Sequence, residues 1–196
     1  MEKQGKYYHD TVNEVVEKFP HHSIVEIGTD GGTTAFWALK AMKNFKGWFF
    51  TIDPYGDKPY KAGSDVQGSN MGYNDKHYMN TIPTIYKMAQ EKGINYLHWK
   101  LTSLDWMKIW DEIEFWNDGG KEVKFSMAYL DGDHAWDPVM DEFKFFYDRI
   151  PKGGYIVIDD FNLLDGEAEV RLRTKGFDGE WYFNYDDNHH RAYFKK

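Results

Sequence analysis

Apolar positions in this chain switch repeatedly between a helical and a strand period. Val12, Val15, Val16 and Phe19 recur at helical spacing from Tyr8 and stop at Pro20, which predicts a leading amphipathic helix within residues 1–20. Ser23 to Ile27 is a short β-branched run ended by Gly28, and a densely apolar helix with Phe36, Trp37, Leu39 and Met42 follows, capped by Thr33 or Thr34. Trp48 to Ile52 reads as a second strand. The stretch before Gly93 is helical through Ile82, Ile85 and Met88, with Pro83 starting or kinking it, and Ile94 to Trp99 is a third strand. Leu104 to Trp116 reads as a helix and Phe125 to Leu130 as a fourth strand. Val139, Phe143, Phe146 and Ile150 mark one face of the next helix, with Asp137 expected as its N-cap and Pro138 as its first helical position. Pro151 to Gly154 ends that helix, and Tyr155 to Ile158 is a fifth strand. Glu167 to Arg173 is a loop or short helix, and Trp181 to Tyr185 with Arg191 to Phe194 forms a hairpin.

Strands alternating with helices predict an α/β fold of the Rossmann-like, doubly wound kind: a mostly parallel, seven-stranded sheet with an antiparallel C-terminal hairpin, all within one domain over 1–196. Residues 54–76 break the pattern, with four glycines, three tyrosines and no apolar periodicity. The segment exceeds the ~12 to 15 residues usual for a structureless loop and follows the second strand, so a substrate lid over the ligand crevice is expected in preference to an unstructured insertion.

Charge and composition narrow the partners. With 32 acidic and 24 basic residues the net charge is -8, which opposes binding to a nucleic-acid backbone. No cysteine is present, so thiolate chemistry and disulfides are excluded and any metal must sit on oxygen or imidazole. The N-terminus is polar and no apolar run approaches membrane-spanning length, so the expectation is a cytoplasmic protein without a membrane partner. Aromatic residues make up 18% and are expected mostly in the core.

Candidate chemistry gathers at four strand ends. Glu26-Ile27-Gly28-Thr29-Asp30-Gly31-Gly32-Thr33-Thr34 joins the first strand to its helix, where glycine admits a close backbone approach and the helix start offers free amides. Asp30 would repel a phosphate, so an uncharged or cationic ligand suits this turn better than a dinucleotide. Asp53 closes the second strand 25 residues after Gly28, near the spacing at which an acid accepts ribose hydroxyls. Asp131-Gly132-Asp133-His134 after the fourth strand faces Asp159-Asp160 after the fifth; such converging carboxylates repel one another unless a hard cation such as magnesium, manganese or calcium neutralises them. The adjacent pairs His21-His22 and His189-His190 read as surface. Trp99, Trp106, Trp110 and Trp116 read as core, whereas Trp136 lies close enough to His134 to wall a substrate.

The turn with Glu26, Gly28 and Gly32, the acid Asp53, Asp131-Gly132-Asp133-His134 and the run Gly153 to Asp160 together resemble class I S-adenosylmethionine-dependent methyltransferases over Ser23 to Phe161. Within them the chain is most similar to the macrocin O-methyltransferase and cephalosporin-hydroxylase-like branch, and more distantly to catechol O-methyltransferases. That resemblance implies a magnesium ion on Asp131, Asp159 and Asp160. It further implies methionine contacts from Glu26 and the backbone of Gly28 to Gly32, Thr29 included, a ribose contact from Asp53, an adenine border at Thr102 and Ser103, and cofactor contacts from Asp131 and from Thr34, which falls where catechol-like enzymes often have Ser. Pro54 replaces the bulky apolar residue usual after the ribose-binding acid, so Tyr55 is expected against adenine instead. His134 stands where macrocin-like enzymes can carry a base, and a neighbouring dication would keep its imidazole neutral and able to accept a hydroxyl proton.

The implied activity is metal-assisted O-methylation of a small-molecule hydroxyl, on a sugar, phenol or natural product, with S-adenosylmethionine as donor and Mg2+ or another hard dication. Two other readings stay open: a nucleotide-sugar glycosyltransferase using Asp131-Gly132-Asp133 as a D-x-D motif, and a non-catalytic binding domain. The sequence also leaves open whether copies of the chain associate.

Overall fold

A computed structural model describes residues 7–56, 75–110, 112, 123–186 and 189–196. Its elements are α1 (Tyr8–Lys18), β1 (Ser23–Ile27), α2 (Thr33–Ala41), β2 (Trp48–Ile52), α3 (Asp75–Glu91), β3 (Asn95–Trp99), α4 (Ser103–Trp110), β4 (Phe125–Leu130), α5 (Trp136–Arg149), β5 (Tyr155–Ile158), a 3-10 turn (Phe161–Leu164), α6 (Glu167–Arg173), β6 (Glu180–Asp186) and β7 (His189–Lys195). One seven-stranded sheet runs in the order β3-β2-β1-β4-β5-β7-β6. The pairs among β1 to β5 are parallel and those made by β7 are antiparallel. The fold class expected from the periodicity is therefore the one observed. Among the described residues no helix is long and apolar enough to cross a membrane.

Because neighbouring side chains on a strand point to opposite faces, each strand feeds two cores. Ile24, Phe49, Met127, Tyr129, Tyr155, Val157 and Tyr193 pack under α1, α2 and α3. Val25, Ile27, Phe50, Ala128, Leu130, Ile156, Ile158 and Phe194 pack under α4, α5 and α6. After β3 the chain returns to lay β4 beside β1, so the winding direction reverses between those two strands and leaves a crevice at their carboxyl ends.

Local details differ from the sequence expectation. The residue flanking α5 is Ala135, so the helix begins at Trp136 and Pro138 is its third residue rather than its first; proline is tolerated there because first-turn amides have no intrahelical acceptor. The N-cap of α2 is Gly32, at φ 77, and neither Thr33 nor Thr34 caps it. Pro83 lies inside α3 on its exposed side, where water can satisfy the carbonyl that proline leaves without an amide. Of the expected lid, Asp75 and Lys76 belong to α3 and residues 57–74 lie outside the described set, as do Trp116 and the far end of the helix expected around it.

Candidate active site

Sheet pairing continues one residue past the strands and sets the candidate residues on a common rim. The Gly28 amide donates to the Ile52 carbonyl (2.9 Å), Asp131 to Ile27 (2.9 Å), Asp159 to Leu130 (3.0 Å) and Asp53 to Trp99 (3.1 Å). The ends of β1 and β4 come so close that a Cβ on Gly28 would lie 1.9 Å from the Asp131 carbonyl oxygen, and Gly28 also has φ 79. Glycine is required there on both counts. Asp30, Tyr55 and Asp160, at the ends of β1, β2 and β5, all have positive φ values of 41, 32 and 46. Three of the five described non-glycine residues with positive φ thus sit on this rim.

Beneath the glycine turn, Glu26 is fully buried, and neither carboxylate oxygen has a hydrogen-bond partner of ordinary geometry. Burial first, and Asp53 second, raise its carboxyl well above the usual range, with the Ala35 amide opposing only in part. The Thr29 hydroxyl is likewise buried without a partner. Asp53 accepts the Thr29 and Asp30 amides on Oδ2 (2.9 and 3.0 Å) and the Tyr55 amide on Oδ1 (3.0 Å). Burial nevertheless raises its carboxyl above the normal value. Thr34 is half-buried in the first turn of α2. Tyr55 is buried with its hydroxyl donating to the Asp30 carbonyl (2.5 Å), and its ring packs against His77, Tyr78 and His98. His77, on α3, lies 3.3 Å from the Asp30 carboxylate, so α3, β2 and the glycine turn meet at one point.

On the neighbouring strand ends, ligand atoms of Asp131, His134 and Asp160 all lie within 4.8 Å of one another. His134 Nε2 is 3.9 Å from Asp131 Oδ1. Burial, then Asp159 and Asp160, raise the Asp131 carboxyl well above its ordinary value, as expected where carboxylates converge. Asp159 is not in this cluster. It is buried, receives the Tyr129 hydroxyl, and pairs with Arg191 Nε at 3.2 Å. The grouping described is therefore Asp131, His134 and Asp160, and the expected trio of Asp131, Asp159 and Asp160 is divided by that ion pair. Asp133 stands outside that grouping.

Sequence reasoning passed over Arg191, Tyr129 and Glu142. The first two become visible only when long-range pairing sets β7 beside β5, opposite Asp159. Glu142 had a local signal, because it falls three residues after Val139 on the buried face of α5. Trp136 is half-buried with Arg173 over its ring at 5.4 Å and its indole N–H shielded without a partner. Trp106 and Trp110 are core. His22 and His190 are half-buried rather than surface, His22 stacked on Phe19 and His190 set edge-on to Phe161.

A methyltransferase-domain family model matches residues 25–161, from the middle of β1 to the first residue after the acidic pair. The chain belongs to that methyltransferase family. Similar solved structures include an O-methyltransferase from Bacillus cereus in complex with S-adenosylhomocysteine, 13% identical with TM-score 0.55, covering 100% of this chain and 84% of that one. A putative O-methyltransferase from Klebsiella pneumoniae is 12% identical with TM-score 0.57, covering 99% and 82%. A putative caffeoyl-CoA O-methyltransferase from Staphylococcus aureus is 12% identical with TM-score 0.55, covering 99% and 85%. At these identities the likeness is one of fold. A stretch of 35 residues, 18% of the chain, is 48% identical to an uncharacterized protein of Acanthamoeba polyphaga mimivirus and spans only 16% of that protein.

Proposed function

We propose that this methyltransferase uses S-adenosylmethionine to methylate a hydroxyl of a small molecule, with Mg2+ or another hard dication on Asp131 and Asp160. The observation that carries this reading is the meeting of two unlike polar groups on one rim. Under the glycine turn lie a buried carboxyl (Glu26), opposed only in part by the Ala35 amide, and a buried hydroxyl (Thr29) without a hydrogen-bond partner. Beside them, three oxygen and nitrogen ligands converge within 4.8 Å. The first set suits the cationic amino-acid end of a sulfonium donor, and the second suits a hard cation. A hydroxyl acceptor agrees with the activity named for the structural relatives.

When bound, the donor supplies an activated methyl and the dication supplies charge that lowers the pKa of a hydroxyl. The chain's own residues do the rest. Glu26, Thr29, Thr34 and the backbone from Gly28 to Gly32 hold the amino-acid end, with Asp131 beside it. Asp53 spends three acceptor sites on backbone amides and keeps Oδ1 capacity for a ribose hydroxyl. Ser103 borders the base, and Tyr55 stiffens the wall behind Asp30. His134 accepts the proton that the acceptor oxygen loses as its new bond to carbon forms. Asp159 holds Arg191 and thereby keeps the hairpin against the metal rim.

Manganese titration followed by paramagnetic resonance in the presence of S-adenosylmethionine tests this assignment. Wild type should bind one Mn2+ per chain, and Asp131→Asn or Asp160→Asn should abolish binding. His134→Ala should keep the ion and lower turnover by about 10² to 10⁴-fold. Retention of the ion by both aspartate variants would overturn the metal site, and loss of the ion in His134→Ala would make the imidazole a ligand instead of a base.

A further inference from the structure

Glu142 is the acid among the buried residues of α5, only 1% exposed and packed between Ser103 and the loop after β4. Burial first, then Asp133 and Asp141, push its carboxyl up to about 8, against the lowering effect of Ser103. The Ser103 hydroxyl, at the start of α4, donates to Oε1, while Oε2 is shut away from solvent with no hydrogen-bond partner. A Cβ on Gly132 would lie 2.9 Å from Ile27 Cγ2 and 3.9 Å from Glu142 Oε1, so the β4 loop lies directly against the pair. A leucine at 142 would leave no carboxyl unsatisfied in this buried position, so the acid costs stability where it stands.

The acid gains control of one proton in exchange. Ser103 is half-buried at the start of α4, after β3, and is the more accessible member of the pair, whereas Glu142 is buried. A hydroxyl whose hydrogen is committed to a carboxyl oxygen offers only lone pairs on its other side. With a carboxyl proton resting on the unpartnered Oε2, Oε1 stays an acceptor and the arrangement persists.

We propose that Glu142 is a positioning residue that makes Ser103 an acceptor-only contact, so that the pocket takes a base with an exocyclic amine, adenine, and rejects one with a carbonyl there, hypoxanthine. This rests on the reading that the donor's base lies beside Ser103. It is tested by calorimetric titration with S-adenosylhomocysteine and its deaminated counterpart S-inosylhomocysteine. Wild type should prefer the adenine compound by about 5- to 150-fold, the span expected when a mismatched base leaves a buried polar group unpaired. Ser103→Ala and Glu142→Leu should bring the two affinities to within about threefold, while Glu142→Gln, whose amide carbonyl can still accept the Ser103 proton, should keep most of the preference. Thermal melting identifies which variants fold; should Glu142→Leu not fold, Ser103→Ala and Glu142→Gln carry the test. An unchanged preference in Ser103→Ala or folded Glu142→Leu would overturn the proposal, as would a wild type that binds both compounds equally. A wild type that binds neither compound would overturn the donor assignment and this inference with it.

Discussion

Two adjacent rows of side chains cross the same sheet and differ completely in chemistry. One row, facing α4 and α5, is Leu97, Phe50, Val25, Ala128, Ile156 and Phe194, apolar from edge to edge. The next row, facing α1, α2 and α3, is His98, Thr51, Glu26, Tyr129, Val157 and Tyr193, with Asp159 and Arg191 one step nearer the rim. Within it Thr51 Oγ1 bonds Tyr96 Oη (2.7 Å) and His98 Nδ1 (2.9 Å), and burial together with Lys100 pushes the His98 imidazole down to about 4. A parallel sheet covered on both faces can stand on apolar packing alone. The contrast teaches that one face of this sheet supplies cohesion while the other gives up some of it to orient the rim, because buried polar groups are tolerated only where partners or a ligand satisfy them.

The comparison breaks first, and hardest, at Trp106. That ring is fully buried on the apolar side, with centroids 4.7 Å from Trp110, 6.1 Å from Phe146 and 6.3 Å from Phe125. Trp106→Ala should lower unfolding free energy by about 3–5 kcal/mol in denaturant titration while donor affinity per folded molecule stays unchanged. A large loss of affinity without loss of stability would show that the two faces are not separable in this way.

Arg191 tests the polar side. Arg191→Met strands the buried Asp159 charge and should destabilise by about 3 kcal/mol, whereas Arg191→Met combined with Asp159→Asn should recover most of that loss. Strict additivity of the two substitutions would mean that the pair does not act as a unit.

Glu26 gives the smallest effect on the fold and the most informative one. Its carboxyl is raised, so the folded chain holds that proton to higher pH than the unfolded chain does. Its contribution to stability is full below the ordinary carboxylate value and is lost as pH climbs through the raised one. Glu26→Gln should remove this erosion and raise the melting temperature of the free protein at neutral pH, by about 2–4 °C for each kcal/mol relieved. Over the same window, wild-type affinity for S-adenosylmethionine should rise with pH as the carboxylate forms to meet the ammonium, and the variant should show a weak, flat profile. A rising profile in Glu26→Gln would place the responsible group elsewhere.

How far the sequence revealed all this depends on the range of the interaction. The run Ser23 to Ile27, the four-three-four spacing of Val139, Phe143, Phe146 and Ile150, and the acids that end three strands are local patterns, and the sheet and its rim follow from them. Helix starts were misplaced where the sequence offered a plausible cap but tertiary packing chose another. Gly32 caps α2 because Thr81 and Ile85 press on it so closely that an added Cβ would meet Ile85 at 2.9 Å. Asp159 and Asp160 are adjacent and chemically identical, and only the arrival of Arg191 from β7 gives them different partners. No periodicity encodes that distinction. The Tyr55 hydroxyl bonds the Asp30 carbonyl through a positive-φ turn that the dipeptide Pro54-Tyr55 does not announce.

The polar pocket under the Gly28 turn, with its buried Glu26 carboxyl and Thr29 hydroxyl, is the proposed seat of a sulfonium donor. Calorimetric titration of the whole chain with S-adenosylmethionine, with and without Mg2+, measures this directly. One donor molecule should bind per chain, with binding greatly weakened in Glu26→Gln and in a Gly28→Val variant that melts as a folded protein. Absence of binding to the wild type in either condition, or full binding by both variants, would contradict it.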